Sequence, residues 1–235
     1  LANDPYERLR GKFIVFDGID GAGKGAQFDL MEQALAQRGI GYLRTRDPGG
    51  TEIGDRIRHI LLDYDLSKMD IRCEAFLFMA SRAQLVTEVV RPALERGEVV
   101  LGDRYVSATC CYQAAAGYDP QKVLQLAELA IEGCWPALTL IIDMTVGEAF
   151  ARTGRGGTGQ HGGRRPVTSE GQPLLFSDAQ IDAMEARPRT FHEEVRERFL
   201  TLDEIYPAPV RIVDGAGTVE EVHQRIMEAV VDAGI

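Results

Sequence analysis

Two hydrophobic rhythms take turns along this chain. Short runs, apolar throughout or rich in β-branched and aromatic side chains, occur at Phe13 to Phe16, Ile40 to Thr45, Glu98 to Leu101, Leu138 to Asp143 and Val210 to Val213; each predicts a strand. Between them apolar residues recur at helical spacing. Phe28, Leu30, Met31, Ala34 and Leu35 mark a helix over Ala26 to Arg38 that stops at Gly39, and similar patterns predict helices at Glu52 to Leu62, Gln121 to Gly133 and Val219 to Val231. A long helix is expected from Ile71 to Arg96, bent near its end by Pro92, and Tyr105 to Gln113 continues as a helix or turn. Strand alternating with helix is the pattern of an α/β fold built on a parallel sheet.

Two stretches follow neither rhythm. Residues 1–11 read as an irregular lead-in, since Asp4-Pro5 disfavours helix there, and no function is assigned to them. From Arg152 to Gln172 the chain is glycine-rich and basic without apolar periodicity. This stretch is too long for an ordinary connector, so it is either a mobile lid or a disordered insertion. Beyond it, Ser177 caps a helical stretch that runs to Leu200 with an interruption near Pro188. No repeat or linker divides the 235 residues, and a single domain, with a lid or insertion over about 152–177, is expected.

Composition narrows the partners. A net charge of -10 with no long basic run argues against a nucleic-acid surface. No apolar run approaches the length of a membrane span, and the opening LANDPYERLR is too polar for a signal peptide. Cys73, Cys110, Cys111 and Cys134 form no CxxC pair and have no histidine at metal-ligand spacing, so buried reduced thiols and a cytoplasmic setting are expected.

The chemistry concentrates in KFIVFDGIDGAGKGAQ, residues 12–27. A strand runs into a glycine-rich turn and then into a helix, so backbone N–H groups and the helix dipole favour an anion at the turn. Gly18, four residues, Gly23 and Lys24 spell GxxxxGK, the phosphate-binding pattern, with Asp20, Gly21 and Ala22 inside the loop. The hydroxyl residue that should follow the lysine is missing: Gly25 and Ala26 stand there.

The motifs FDGIDGAGKGAQ, RDPGGTEIGDRIR, FLFMASRAQ, DRYVSATCCYQ and PALTLIIDM, in that order across residues 13–144, resemble the thymidylate kinase family. The resemblance implies a three-layer α/β/α P-loop kinase fold with a five-stranded parallel sheet and a lid, forming a homodimer through helices that flank the site. It implies transfer of the γ-phosphoryl group of ATP to dTMP with Mg2+ as cofactor. Lys24 would then lie along the β- and γ-phosphates, and Arg58 and Arg104 would grip the acceptor phosphate. Phe78 and Arg82, one helical turn apart, would stack on the thymine and bond its carbonyl edge, with Thr109 and Gln113 adding donors and acceptors. Tyr112 resembles the residue that packs beside the sugar, though a plain core tyrosine reads equally well. Asp20 and Asp103 are candidates for Mg2+ or its water shell.

This chain also departs from the family. Asp17 and Asp47 occupy positions where glutamate is usual; each is one methylene shorter, and contacts carried over to them are expected to need a water. Gly25 and Ala26 replace a Ser/Thr-Thr pair, which predicts weakened nucleotide or metal binding. Gly21 stands where some members place a catalytic arginine, so that arginine must come from the lid. Arg152, Arg155, Arg164 and Arg165 are available, with Arg155 as the catalytic candidate. Two alternatives stay open: a kinase for another, modified pyrimidine nucleotide, and a nucleotide-binding protein that has lost catalysis.

Overall fold

Burial sorts the strands into centre and edge. In the computed structural model, which describes residues 4–63, 68–153 and 187–235, the strands are β1 (Phe13–Asp17), β2 (Tyr42–Arg46), β3 (Val99–Asp103), β4 (Leu138–Asp143) and β5 (Val210–Asp214). β1, β3 and β4 are buried along nearly their whole length, whereas β2 and β5 are exposed at most positions. Runs apolar on both faces belong in the middle of a parallel sheet, and strands carrying Arg44, Arg46 and Arg211 belong at its rims. The observed order is β2-β3-β1-β4-β5, all parallel.

The helices are α1 (Lys24–Gln37), α2 (Glu52–Asp63), α3 (Ile71–Leu85), α4 (Arg91–Glu95), α5 (Val106–Ala115), α6 (Pro120–Ile131), α7 (Val146–Arg152), α8 (Arg189–Leu200) and α9 (Val219–Asp232). α1 packs with α9, while α2, α3, α5, α6 and α8 form a second packed group, giving the three-layer α/β/α arrangement of a P-loop kinase. Local chemistry sets several starts. Asp119 and Thr218 cap α6 and α9, the latter in a reciprocal capping box with Glu221. Thr51 accepts from Gly54 N at 2.9 Å at the head of α2, as its hydroxyl suggested.

Several sequence expectations are corrected. The helix expected over Ile71 to Arg96 is not uniform: α3 gives way to a five-residue π-helical segment, Val86–Val90, before α4. Pro92 has no N–H for the preceding turn, and the backbone widens upstream of it so that Arg91 N bonds Val86 O instead. α1 begins two residues earlier than expected, at Lys24, and α7 was not foreseen. Residues 4–11 are not an irregular lead-in. They contain the 3-10 turn Glu7–Leu9, with Leu9 fully buried and Asp4 paired to Arg38 at 2.7 Å. Cys73 is exposed rather than buried. The expected lid, with Arg155, Arg164 and Arg165, and the Ser177 cap lie outside the described residues.

Candidate active site

β1 and β3 are neighbours in register, Phe16 opposite Asp103, so their C-terminal ends deliver the glycine loop and Asp103-Arg104 to one rim of the sheet. Arg104 has φ of 67°, a left-handed conformation that costs a non-glycine residue about 1–3 kcal/mol. The turn sends its guanidinium back over the loop. Nη1 donates to Asp17 Oδ1 at 2.9 Å and to Gly18 O at 3.0 Å, while Nη2 donates to the Asp20 carboxylate and reaches the Tyr112 hydroxyl at 3.3 Å. Asp17 is fully buried and also accepts from Gly18 N at 2.9 Å and Ser107 Oγ at 2.6 Å. Its shorter side chain makes these three contacts directly.

Charge state follows from this packing. Burial pushes the Asp17 carboxyl up, against the pull of Arg104. Burial also opposes the charged form of Asp20, but the Arg104 and Lys24 charges outweigh it and hold that carboxyl at about 2. Lys24 Nζ donates to Gly18 O and Ile19 O at 3.3 and 3.2 Å, and burial lowers its pKa. Both cations nearest the loop thus rest on the loop's own oxygens.

The glycines explain two departures. A Cβ on Gly21 would meet Ala149 O at 2.5 Å, so α7 closes the position where an arginine was considered. A Cβ on Gly25 meets nothing within 4 Å, so the missing hydroxyl reflects no lack of room. Ala22 and Ala26 complete the loop and the first turn of α1, and Ala22 N bonds Ile19 O at 3.2 Å. Above Gly23, whose Cβ would lie 3.3 Å from Arg152 Nη1, sits the Arg152 guanidinium, which also reaches Gly215 O at 3.5 Å. Of the four lid arginines considered, Arg152 is the one within the described residues.

From the loop a cleft of about 220 Å³ opens between α2, α3 and α5. Lys24, Asp20, Asp103 and Arg104 form one end, and Arg58, Phe78, Arg82, Thr109, Tyr112, Gln113 and Asp47 line the rest. Arg82 is almost wholly buried. Its Nε donates to Asp47 Oδ2 at 2.5 Å, and its Nη2 to Tyr105 O at 3.0 Å and Thr109 Oγ1 at 3.1 Å. Burial raises the Asp47 carboxyl pKa against the Arg82 charge. Arg58 Nη1 donates to Pro48 O at 2.9 Å, and Phe78 presents one face to the cleft at 9 % exposure.

Sequence reasoning brought all of these side chains into one cleft but missed what holds them. Ser107 on Asp17, Ser81 Oγ accepting from Gly49 N at 3.0 Å, and Glu74 accepting from Gln113 Nε2 at 3.1 Å are buried polar residues with no motif of their own. The available signal was a small polar residue or carboxylate inside an otherwise apolar helical face, as at Ser81 and Glu74 in α3.

A GxxxxGK loop between strand and helix, beside a cleft lined by cations, an aromatic ring and polar side chains, is the arrangement of a P-loop nucleotide phosphotransferase. A thymidylate kinase family model matches residues 16–167. The chain is 39% identical over 223 residues to the thymidylate kinase of Nitratidesulfovibrio vulgaris (strain Miyazaki F), covering 93% of this chain and 95% of that protein. It is 39% identical over 215 residues to that of Syntrophotalea carbinolica (91% and 92%), and 35% identical over 225 residues to that of an Exiguobacterium species (95% and 96%). The chain belongs to the thymidylate kinase family.

Proposed function

We propose that the cleft is where this enzyme transfers the γ-phosphoryl group of ATP to dTMP, giving ADP and dTDP. The observation that carries the residue assignment is the convergence of Lys24, Arg58 and Arg104 with Phe78, Arg82, Thr109 and Gln113 on one cavity. ATP lays its phosphates on the loop from Gly18 to Gly25, with Lys24 along the β- and γ-groups. Arg58 and Arg104 grip the acceptor phosphate, whose oxygen forms the new bond to γ-phosphorus as the bond to the β-phosphate oxygen breaks. That acceptor is already largely dianionic at neutral pH, so no general base is needed. Thymine stacks on Phe78 while Arg82, Thr109 and Gln113 read its edge, and Tyr112 flanks the sugar.

Asp20 and Asp103 suit Mg2+, which takes hard oxygen ligands and keeps several waters. Asp20 stays ionised, but Arg104 and Tyr112 engage its oxygens, so it would hold the ion's water shell. An ion held there would supply charge neutralisation to the phosphates. Arg152, above Gly23, joins Arg155 as a candidate for the arginine that offsets charge on the transferring group.

ADP release measured across dTMP, dUMP, dCMP, dGMP and AMP tests the reading: dTMP is expected to give the highest kcat/KM, and no preference for it overturns the assignment. Gly25→Ser restores a hydroxyl at a position with open space, and one added hydrogen bond is expected to lower the KM for Mg·ATP about two- to tenfold. An unchanged KM would show that the hydroxyl is dispensable here.

The homodimer is part of the same proposal. Ile53 and Ile60 lie two turns apart on α2 with exposures of 51% and 48%, and Phe76 on α3 is exposed at 53%, an apolar face next to the cleft. Ile60→Lys is expected to convert a dimer into monomer in sedimentation; a wild-type monomer at micromolar concentration would sink this part.

A further inference from the structure

We infer that Glu74 is a positioning residue that fixes the Gln113 side-chain amide with its nitrogen turned away from the ligand and its oxygen left for the nucleobase. The inference rests on the acceptor-site reading above and deepens it. Gln113 is 1% exposed yet lines the cleft. Its Nε2 donates to Glu74 Oε1 at 3.1 Å, and its Oε1 is buried with no partner among the described residues. A buried amide oxygen without a partner is costly unless a ligand supplies the donor.

Glu74 is suited to set this orientation. It is buried on α3, one turn before Phe78, and Arg187 Nη2 lies 3.5 Å from the same Oε1. Arg187 in turn stacks over the Phe191 ring of α8, 4.5 Å from its centroid, so the counter-charge is itself held in place. Burial pushes the Glu74 carboxyl up while the Arg187 charge and the Gln113 amide pull it back, and the ionised carboxylate accepts hydrogen bonds and donates none. Gln113 therefore cannot turn its oxygen toward Glu74 without setting two acceptors against each other.

The consequence is selectivity for the base edge. Thymine and uracil carry an N–H at ring position 3 between two carbonyl groups, and that N–H can donate to Gln113 Oε1. Cytosine has a bare ring nitrogen there, an acceptor facing an acceptor. Sites built around a substrate's own donor reject analogues that lack it.

The test is kinetic. Glu74→Gln keeps the shape but lets two amides pair in either sense, so the amide at position 113 is free to turn. The ratio of kcat/KM for dTMP over dCMP is expected to narrow by at least about tenfold, through loss with dTMP and gain with dCMP, while the KM for ATP stays put. In a Gln113→Leu background the same change should move the ratio no further. Should Glu74→Gln fail to fold, Glu74→Asp, which withdraws the carboxylate by one methylene, is expected to narrow the ratio likewise. An equal loss with both nucleotides, or the same narrowing without Gln113, overturns the inference. Wild-type enzyme without dTMP turnover would overturn the parent reading instead, so the two failures are distinguishable.

Discussion

Arg104→Met is expected to lower kcat/KM for dTMP by about a thousandfold, since losing one partner of a desolvated charge-assisted contact costs ~2–5 kcal/mol. Three groups depend on this guanidinium in the free enzyme: the buried Asp17 carboxylate, the Asp20 carboxylate and the Gly18 carbonyl. In the proposed reaction it also holds the acceptor phosphate. Arg104→Lys should rescue little, because a point charge on a flexible stem cannot span positions that a planar fork reaches together. A variant retaining activity within tenfold of wild type would remove Arg104 from the acceptor site. Thermal melting separates this from unfolding: Ser107 and Gly18 N still partner Asp17, so the variant should remain folded at assay temperature.

The second large effect is on stability. Arg82 and Asp47 form an ion pair with both side chains only 1% exposed, and breaking such a pair from one side costs ~3–5 kcal/mol because the remaining charge is buried without compensation. Arg82→Met should therefore unfold at markedly lower denaturant concentration than wild type. Arg82→Met combined with Asp47→Asn removes the stranded carboxylate and should recover most of that loss, yet its KM for dTMP should stay raised, because the cation proposed to read the base is still gone. If the double variant bound dTMP as wild type does, Arg82 would be a structural residue only. Urea denaturation and steady-state kinetics on the three proteins decide the matter.

Much of this layout was legible from side-chain order because the reasons for it are local. A continuous apolar run such as Phe13 to Phe16 can be satisfied only inside a sheet, and a glycine turn ending in lysine at a helix start has few uses besides holding phosphate. Phe78 and Arg82 share a face because they are four residues apart on a helix. What could not be read depends on partners distant in sequence. Asp17 meets Arg104 across 87 positions, and Glu74 meets Gln113 across 39; nothing in the neighbourhood of either residue signals the other. The π-helical segment at Val86–Val90 escaped for a different reason: Pro92 announces a disturbance but not on which side the backbone will absorb it. Residues 4–11 were misread because their order comes from Arg38, and from His223, whose Nε2 lies 2.9 Å from the Tyr6 hydroxyl, both far along the chain.

Lys24 and Arg104 both lean on oxygens of the loop they serve. Under the proposed function an arriving nucleotide would not meet bare positive charge; it would exchange places with carbonyls and carboxylates that already hold those cations. Binding would then be a swap, in which specificity comes from how well the newcomer's geometry surpasses the incumbent's, and product could leave because the vacated ends have somewhere to return.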